Sequence, residues 1–167
     1  MRMLFADTLP RHHLDRLTDA GHVCVVEEGL TADSLPDRIA GFDALVVRST
    51  RVTAATLDRA DELGLIVRAG AGTDTIDIQG AADRGIYVCN VPGTNAVAVA
   101  ELAMGLLLAV DRHIADGTAD LRQGVWNKSR YQQARGLYGR TVAIIGLGEI
   151  GLAFAARARA FGLEPTA

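Results

Sequence analysis

Short apolar runs alternate with amphipathic stretches along the first half of this chain, and that alternation restricts the fold more than any other feature. The runs are Met3–Ala6, Val23–Val26, Asp43–Val47, Leu65–Val67 and Ile86–Val88. Between them lie stretches that read as helices: Arg11–Ala20, with Leu14 and Leu17 on one face and Gly21 at its end; Thr31–Ala40, capped by Thr31 and ended by Gly41; Thr53–Glu62, capped by Thr53; and Ile76–Arg84, closed by Gly85. Strands this short and continuously apolar are buried on both faces of a parallel sheet. Right-handed crossovers then place helices on both sides. The expected fold class is α/β.

Composition agrees. Hydrophobic residues make up 49% and aromatics only 5%, so small and β-branched side chains fill the helix–sheet interfaces. The net charge of −3 comes from dispersed residues, and no Lys/Arg block suggests a nucleic-acid or membrane surface. Cys24 and Cys89 are far apart, form no metal or redox spacing, and read as reduced thiols packed near strands. Met1–Asp7 breaks too early for a secretory signal, so a cytoplasmic protein is the expectation.

Asn95 to about Ala115 is the longest helical run, and its apolar character on nearly every face implies burial all round. Its apolar core, Ala96–Val110, contains Glu101 and is shorter than the roughly 20 residues of a membrane span. Glu101 reads as structural. Asp116–Trp126 is more polar and is expected to hold the crossing between domains, with a new βα unit starting at Arg140.

That unit carries the sharpest motif. Thr141-Val142-Ala143-Ile144-Ile145 precedes Gly146-Leu147-Gly148-Glu149-Ile150-Gly151, and an alanine-rich helix follows to Ala160. An apolar strand before and a helix after are the setting in which G-x-G-x-x-G signals dinucleotide binding. Gly146 permits the tight turn, Gly148 lets a diphosphate approach, and Gly151 lets helix and strand pack closely. The helix N-terminus offers unpaired N–H groups to phosphate. Glu149 is out of place there, because its carboxylate repels phosphate unless it turns away. The acidic residue that would choose NAD over NADP falls about 20 positions on, past Ala167.

Two further loops follow strand ends, where open α/β sheets bind ligands. The first is Val47-Arg48-Ser49-Thr50; the second is Arg68-Ala69-Gly70-Ala71-Gly72-Thr73-Asp74. Read from residues alone, they fit equally well as tight turns bearing surface arginines or as an anion-binding nest flanked by two cations.

These loops, then Asn90-Val91-Pro92-Gly93-Thr94-Asn95-Ala96 with Ala98 to Glu101, then the glycine motif, occur in an order and spacing that resembles the D-isomer-specific 2-hydroxyacid dehydrogenases, and the phosphoglycerate-oxidising members most. The resemblance covers essentially the whole chain. It implies a flavodoxin-like parallel-sheet substrate domain over residues 1–94, a long interdomain helix and crossover over 95–126, and an incomplete Rossmann dinucleotide-binding domain over 127–167. It implies an oxidoreductase acting on a small 2-hydroxy or 2-oxo acid, free or phosphorylated, with NAD as cofactor and a homodimeric or tetrameric full-length protein. It places the substrate carboxylate on the main chain of Ala71 and Gly72, flanked by Arg48 and Ser49; Arg68 as a cation and Gly70 as room for close approach complete the expected substrate site from the residues themselves. It places the cofactor at Gly146, Gly148, Glu149, Ile150 and Gly151. Arg48 and Arg68 suit the extra charge of a phosphorylated substrate.

The family's catalytic Arg, Glu and His come from the second half of its sequence, and no position here matches them. His12, His13, His22 and His113 have no acid–base partner motif and read as surface or packing residues. The expectation is an enzyme by family whose 167 residues alone are inactive, with residues after Trp126 marginal in isolation. The competing readings are a non-catalytic fragment that binds carboxylate or dinucleotide or pairs with full-length subunits, and an unrelated Rossmann-like enzyme. No metal site is expected.

Overall fold

A computed structural model describes all 167 residues. They form two compact units, Met1–Pro92 and Gly93–Ala167.

The first unit is built on five parallel strands: β1 (Arg2–Phe5), β2 (Val23–Val26), β3 (Ala44–Val47), β4 (Leu65–Arg68) and β5 (Tyr87–Cys89), in the order β2-β1-β3-β4-β5. This is the flavodoxin-like order. Helices α1 (Arg11–Asp19), α2 (Ala54–Asp58) and α3 (Ile78–Asp83) supply three of the four crossovers, and the β2–β3 connection has no α-helix.

Side-chain alternation explains the continuous apolar runs. Leu4, Leu45, Val47 and Ile66 point to one face, where Leu35, Ile39, Leu57 and Ala81 cover them. Met3, Phe5, Ala44 and Val46 point to the other, against Leu14 and Leu17 of α1. A strand buried on both faces has no room for polar side chains. Each fully buried Leu or Ile contributes about 1.5–3 kcal/mol.

Several sequence expectations need correction. No α-helix forms over residues 31–40; the structure has only a 3₁₀ turn at Leu35–Asp37. Pro36 is the cause, since it has no N–H to give to a carbonyl one turn back. Thr31 and Ser34 still bond reciprocally, Thr31 N–H to Ser34 Oγ at 2.9 Å and Ser34 N–H to Thr31 Oγ1 at 3.3 Å. The helix expected over 53–62 stops at Asp58, and Asp61 instead accepts the Gly41 N–H at 2.7 Å. The helix expected from Ile76 starts at Ile78, because Ile76 bridges Val52 and Asp77 caps through the Gly80 N–H at 2.9 Å. Cys24 is half-buried on β2, but Cys89 at the end of β5 is exposed.

The second unit contains α4 (Ala96–Asp111), α5 (Ile114–Arg122), α6 (Lys128–Tyr131), β6 (Thr141–Ala143), α7 (Glu149–Ala160) and β7 (Glu164–Thr166). Strands β6 and β7 pair in parallel. The expected single helix over 95–115 is two helices, because His113 adopts a left-handed conformation at φ 54° and turns the chain. Burial on all faces is also corrected. Ala96, Ala100 and Met104 are buried, whereas Leu102, Leu106 and Val110 are exposed. Met104 packs with Leu137, Ala158 and Leu163. Glu101 pairs with Arg157 of α7 at 3.1 Å, and Asp111 accepts from Arg140 at 2.7 Å. No helix is long and apolar enough to cross a membrane.

Candidate active site

All five strands of the first unit run the same way, so their carboxyl ends share one edge. The sheet order reverses at β1, where the chain leaves first toward β2 and later returns through β3. Loops diverge at such a point and open a crevice. Asp7 follows β1, Arg48–Thr50 follow β3, Arg68–Asp74 follow β4 and Asn90 follows β5.

In the β4 loop, Ala69 N–H donates to the Val47 carbonyl at 2.7 Å, and the Gly70 carbonyl accepts from Val91 N–H at 2.9 Å. Asn90 Nδ2 donates to the Ala71 carbonyl at 2.7 Å. Ala69 and Gly70 spend their N–H groups on Val47 and Arg68, and beyond them the loop is held through the Gly70 and Ala71 carbonyls. The N–H groups of Ala71 and Gly72 donate to no backbone carbonyl, and both residues are exposed. The Arg68 guanidinium lies against the α-carbon of Gly70, in the space a Cβ would fill. Its Nε is buried without a hydrogen-bond partner. Arg68 and Val47 are register partners, so Arg48 stands one residue beyond the position opposite Arg68. Arg48 and Ser49 are exposed.

Two residues of this edge escaped the sequence reading of the site. Asn90 is the clamp just described. Asp7 is the other: its Oδ2 accepts from the N–H groups of Arg48, Ser49 and Thr50 at 2.6, 3.0 and 3.1 Å. The signal for Asp7 was available, since it is an acid directly after the first strand, on the same edge as both loops.

Burial pushes the Asp7 carboxyl up, but the N–H donors of Arg48, Thr50 and Ser49 outweigh it and hold the group below the usual carboxylate range. A depressed carboxyl adds stability that is complete above its unfolded value, about 3.9. That stability is lost as the pH falls through the folded value. Asp7→Asn keeps an acceptor but loses the charge. It is expected to cost about 1–3 kcal/mol at neutral pH and less at pH 3, below the unfolded value. Urea unfolding of both proteins at pH 7 and pH 3 checks this; an equal gap at both pH values contradicts it.

In the second unit, Gly146 turns the chain at φ 100°. At Gly151 a Cβ would overlap the Gly146 carbonyl oxygen and lie 3.4 Å from Ile144 Cγ2. Gly148 is the N-cap of α7, has no capping side chain, and faces open space where its Cβ would be. Glu149 is exposed, and its carboxylate folds against the α-carbon of Gly93. Ile150 is half exposed, at 44%. These residues fit a dinucleotide: a tight turn, an open approach and free N–H groups at a twelve-residue helix.

The histidines lie apart from both groups or lack a carboxylate. His12 and His13 are exposed on α1 with rings 3.9 Å apart, and His22 sits at the amino end of β2. His113 is on the α4–α5 turn, 3.7 Å from Asp116.

Comparison with known proteins gives a consistent picture. Residues 3–161 match the family model described as D-isomer specific 2-hydroxyacid dehydrogenase, catalytic domain. A D-3-phosphoglycerate dehydrogenase of Methanocaldococcus jannaschii is 42% identical over 98% of this chain, which spans 31% of that protein. A hydroxypyruvate reductase of Thermotoga maritima is 44% identical over 95% of this chain and is matched over 52% of its own length. Among solved structures, a 3-phosphoglycerate dehydrogenase of Entamoeba histolytica with NAD+ bound superposes with a TM-score of 0.81 at 26% identity. That match covers 99% of this chain and 53% of the other. The chain thus spans between 31% and 53% of the length of these relatives.

Proposed function

The chain belongs to the D-isomer specific 2-hydroxyacid dehydrogenase family, and from that premise we propose that it holds the carboxylate-binding edge and the diphosphate turn of an NAD-dependent oxidoreductase. The substrate is a small 2-hydroxy or 2-oxo acid, and D-3-phosphoglycerate is the best candidate. The observation that carries this reading is the edge after β4. There the Ala71 and Gly72 N–H groups are unspent, and the Arg68 guanidinium has no acid partner.

The division of labour follows from the geometry. Ala71 and Gly72 hold the substrate carboxylate through their N–H groups, as a nest holds an anion. Gly70 leaves room for the Arg68 side chain, and Arg48 adds a second cation. Two cations at neighbouring strand ends match a substrate with both carboxylate and phosphate. Ser49 supplies a hydroxyl at the rim. Residues 1–92 are the substrate-binding part of this scheme.

Gly146, Gly148 and Gly151 form the turn that accepts the diphosphate, with the N–H groups of Glu149 and Ile150 at the start of α7. NAD, when bound, would take up the hydride released from C2 of the substrate. The relative solved with NAD+ supports a nicotinamide dinucleotide as the cofactor. Both ligands are gripped by groups present here, but none of the four histidines meets a carboxylate at the substrate edge. Residues 1–167 alone are therefore proposed to bind without turnover.

Calorimetry of the 167-residue chain with NADH and with D-3-phosphoglycerate, beside an assay for NAD reduction, tests the proposal. Binding of both without NADH formation is expected. NADH formation overturns the inactivity, and failure to bind either ligand overturns the site assignment. The reading as a non-catalytic partner of full-length subunits predicts the same binding. It is distinguished by a mixed species on native mass spectrometry.

A further inference from the structure

Three consecutive backbone N–H groups converge on one oxygen, Asp7 Oδ2. Successive N–H groups of this kind make an anion-binding concavity, and here the chain's own carboxylate fills it. We propose that Asp7 is the positioning residue of the substrate site: it fixes the loop after β3 so that Arg48 and Ser49 present their side chains to the incoming anion. It also closes that loop's N–H groups to the ligand, leaving Ala71 and Gly72 as the open nest. The inference rests on the preceding reading of this edge as a carboxylate site.

Both ends of the device are anchored. Asp7 follows Ala6, whose N–H donates to the Val46 carbonyl at 3.0 Å, so β1 and β3 hold the carboxylate in register with the loop. Thr50 closes the loop and is buried. Its Oγ1 lies 3.4 Å from the Ala6 and Leu30 carbonyls. Between these anchors the Arg48 and Ser49 side chains make no protein hydrogen bond or ion pair. Their placement therefore depends on the backbone alone, and the backbone depends on Asp7. Three N–H dipoles aimed at the carboxylate also offset its charge, so a ligand anion is not repelled by it.

The test uses the 167-residue chain, D-3-phosphoglycerate as probe, and ¹⁵N-resolved NMR titration well below the unfolding temperature. Asp7→Asn is expected to weaken binding about five- to tenfold. In a background with both Arg48→Ala and Ser49→Ala the same change should have no further effect, because Asp7 acts through those two side chains. Independent losses that add across the set would mean a general structural role and overturn the inference. In the wild type, without any variant, the amide protons of Arg48, Ser49 and Thr50 should shift together as Asp7 titrates, while that of Ala71 stays fixed; Gly72 is not used as a reference, because the Asp74 carboxylate lies against its α-carbon. Static amides at 48–50 overturn it even if Asp7→Asn fails to fold. If the wild type binds and Asp7→Asn binds equally well, only this inference falls. If the wild type does not bind, the substrate-site reading falls with it.

Discussion

Gly151→Ala is expected to destabilise the second unit by about 1–3 kcal/mol and to weaken dinucleotide binding at least tenfold. The sign is what makes the prediction sharp. Gly151 lies in the first turn of α7, and replacing a helical glycine by alanine ordinarily stabilises by roughly 0.5–1 kcal/mol. Here the added methyl would overlap the Gly146 carbonyl oxygen and crowd the carbonyl carbon at 3.2 Å. Both are backbone atoms, so neither swings aside as a side chain would. Relief requires α7 to move away from β6 or the Gly146 turn to open. Either movement misdirects the N–H groups that would meet the diphosphate. Gly105 in α4 provides the control, since a Cβ there meets nothing within 4 Å. Gly105→Ala should therefore stabilise by the ordinary amount. Amide exchange across α4, α7 and β6, with NADH titrations, reads both. Equal stabilisation by the two substitutions would remove the argument for close packing at Gly151.

The parallel sheet was legible because burial on both faces leaves its mark residue by residue. Leu4 and Phe5, or Leu45 and Val46, must both be apolar when they point to opposite cores. The glycine motif was legible for a similar reason, since Gly146 and Gly151 each meet a backbone demand that no other residue satisfies. Helix ends were legible only where the chain itself enforced them. Gly21 and Gly85 mark real ends with positive φ. Pro36 breaks the 31–40 helix, a breaker in plain view that the apolar spacing of Leu35 and Ile39 masked. The early stop at Asp58 depends on Asp61 reaching Gly41 across the fold, and the kink at His113 has no local glycine or proline to announce it. The site shows the same division. That Arg48, Ser49, Arg68 and the loop glycines follow strand ends could be read from the pattern, which left open whether they bind an anion or only turn the chain. Asp7 and Asn90 act through backbone groups 41–43 and 19 residues away, so only the assembled sheet reveals their partners.

Removing the Arg68 guanidinium is expected to weaken D-3-phosphoglycerate binding by about 10- to 100-fold, which corresponds to the roughly 1.5–3 kcal/mol of a charge-assisted hydrogen bond. The same change should leave stability level or slightly higher. Arg68 Nε is buried with no acceptor, and an unpartnered buried donor is a cost in the free protein. Arg68→Met keeps the aliphatic packing and discards that cost, so affinity and stability should move in opposite directions, as at sites where stability is held below its optimum for function. Gly70→Ala separates position from charge. Its methyl would occupy the space of the Arg68 guanidinium, the far end of a flexible side chain, so the cation is displaced at little cost to the fold while affinity still falls. Arg68→Lys keeps the charge but loses the planar fork, and should lie between wild type and Arg68→Met. Substrate comparison then locates the contact. If Arg68 meets the phosphate, Arg68→Met should weaken D-3-phosphoglycerate far more than D-glycerate. If it meets the carboxylate, both should weaken alike. An Arg68→Met protein that loses 2 kcal/mol or more of stability and binds both acids as the wild type does would assign this arginine to the fold.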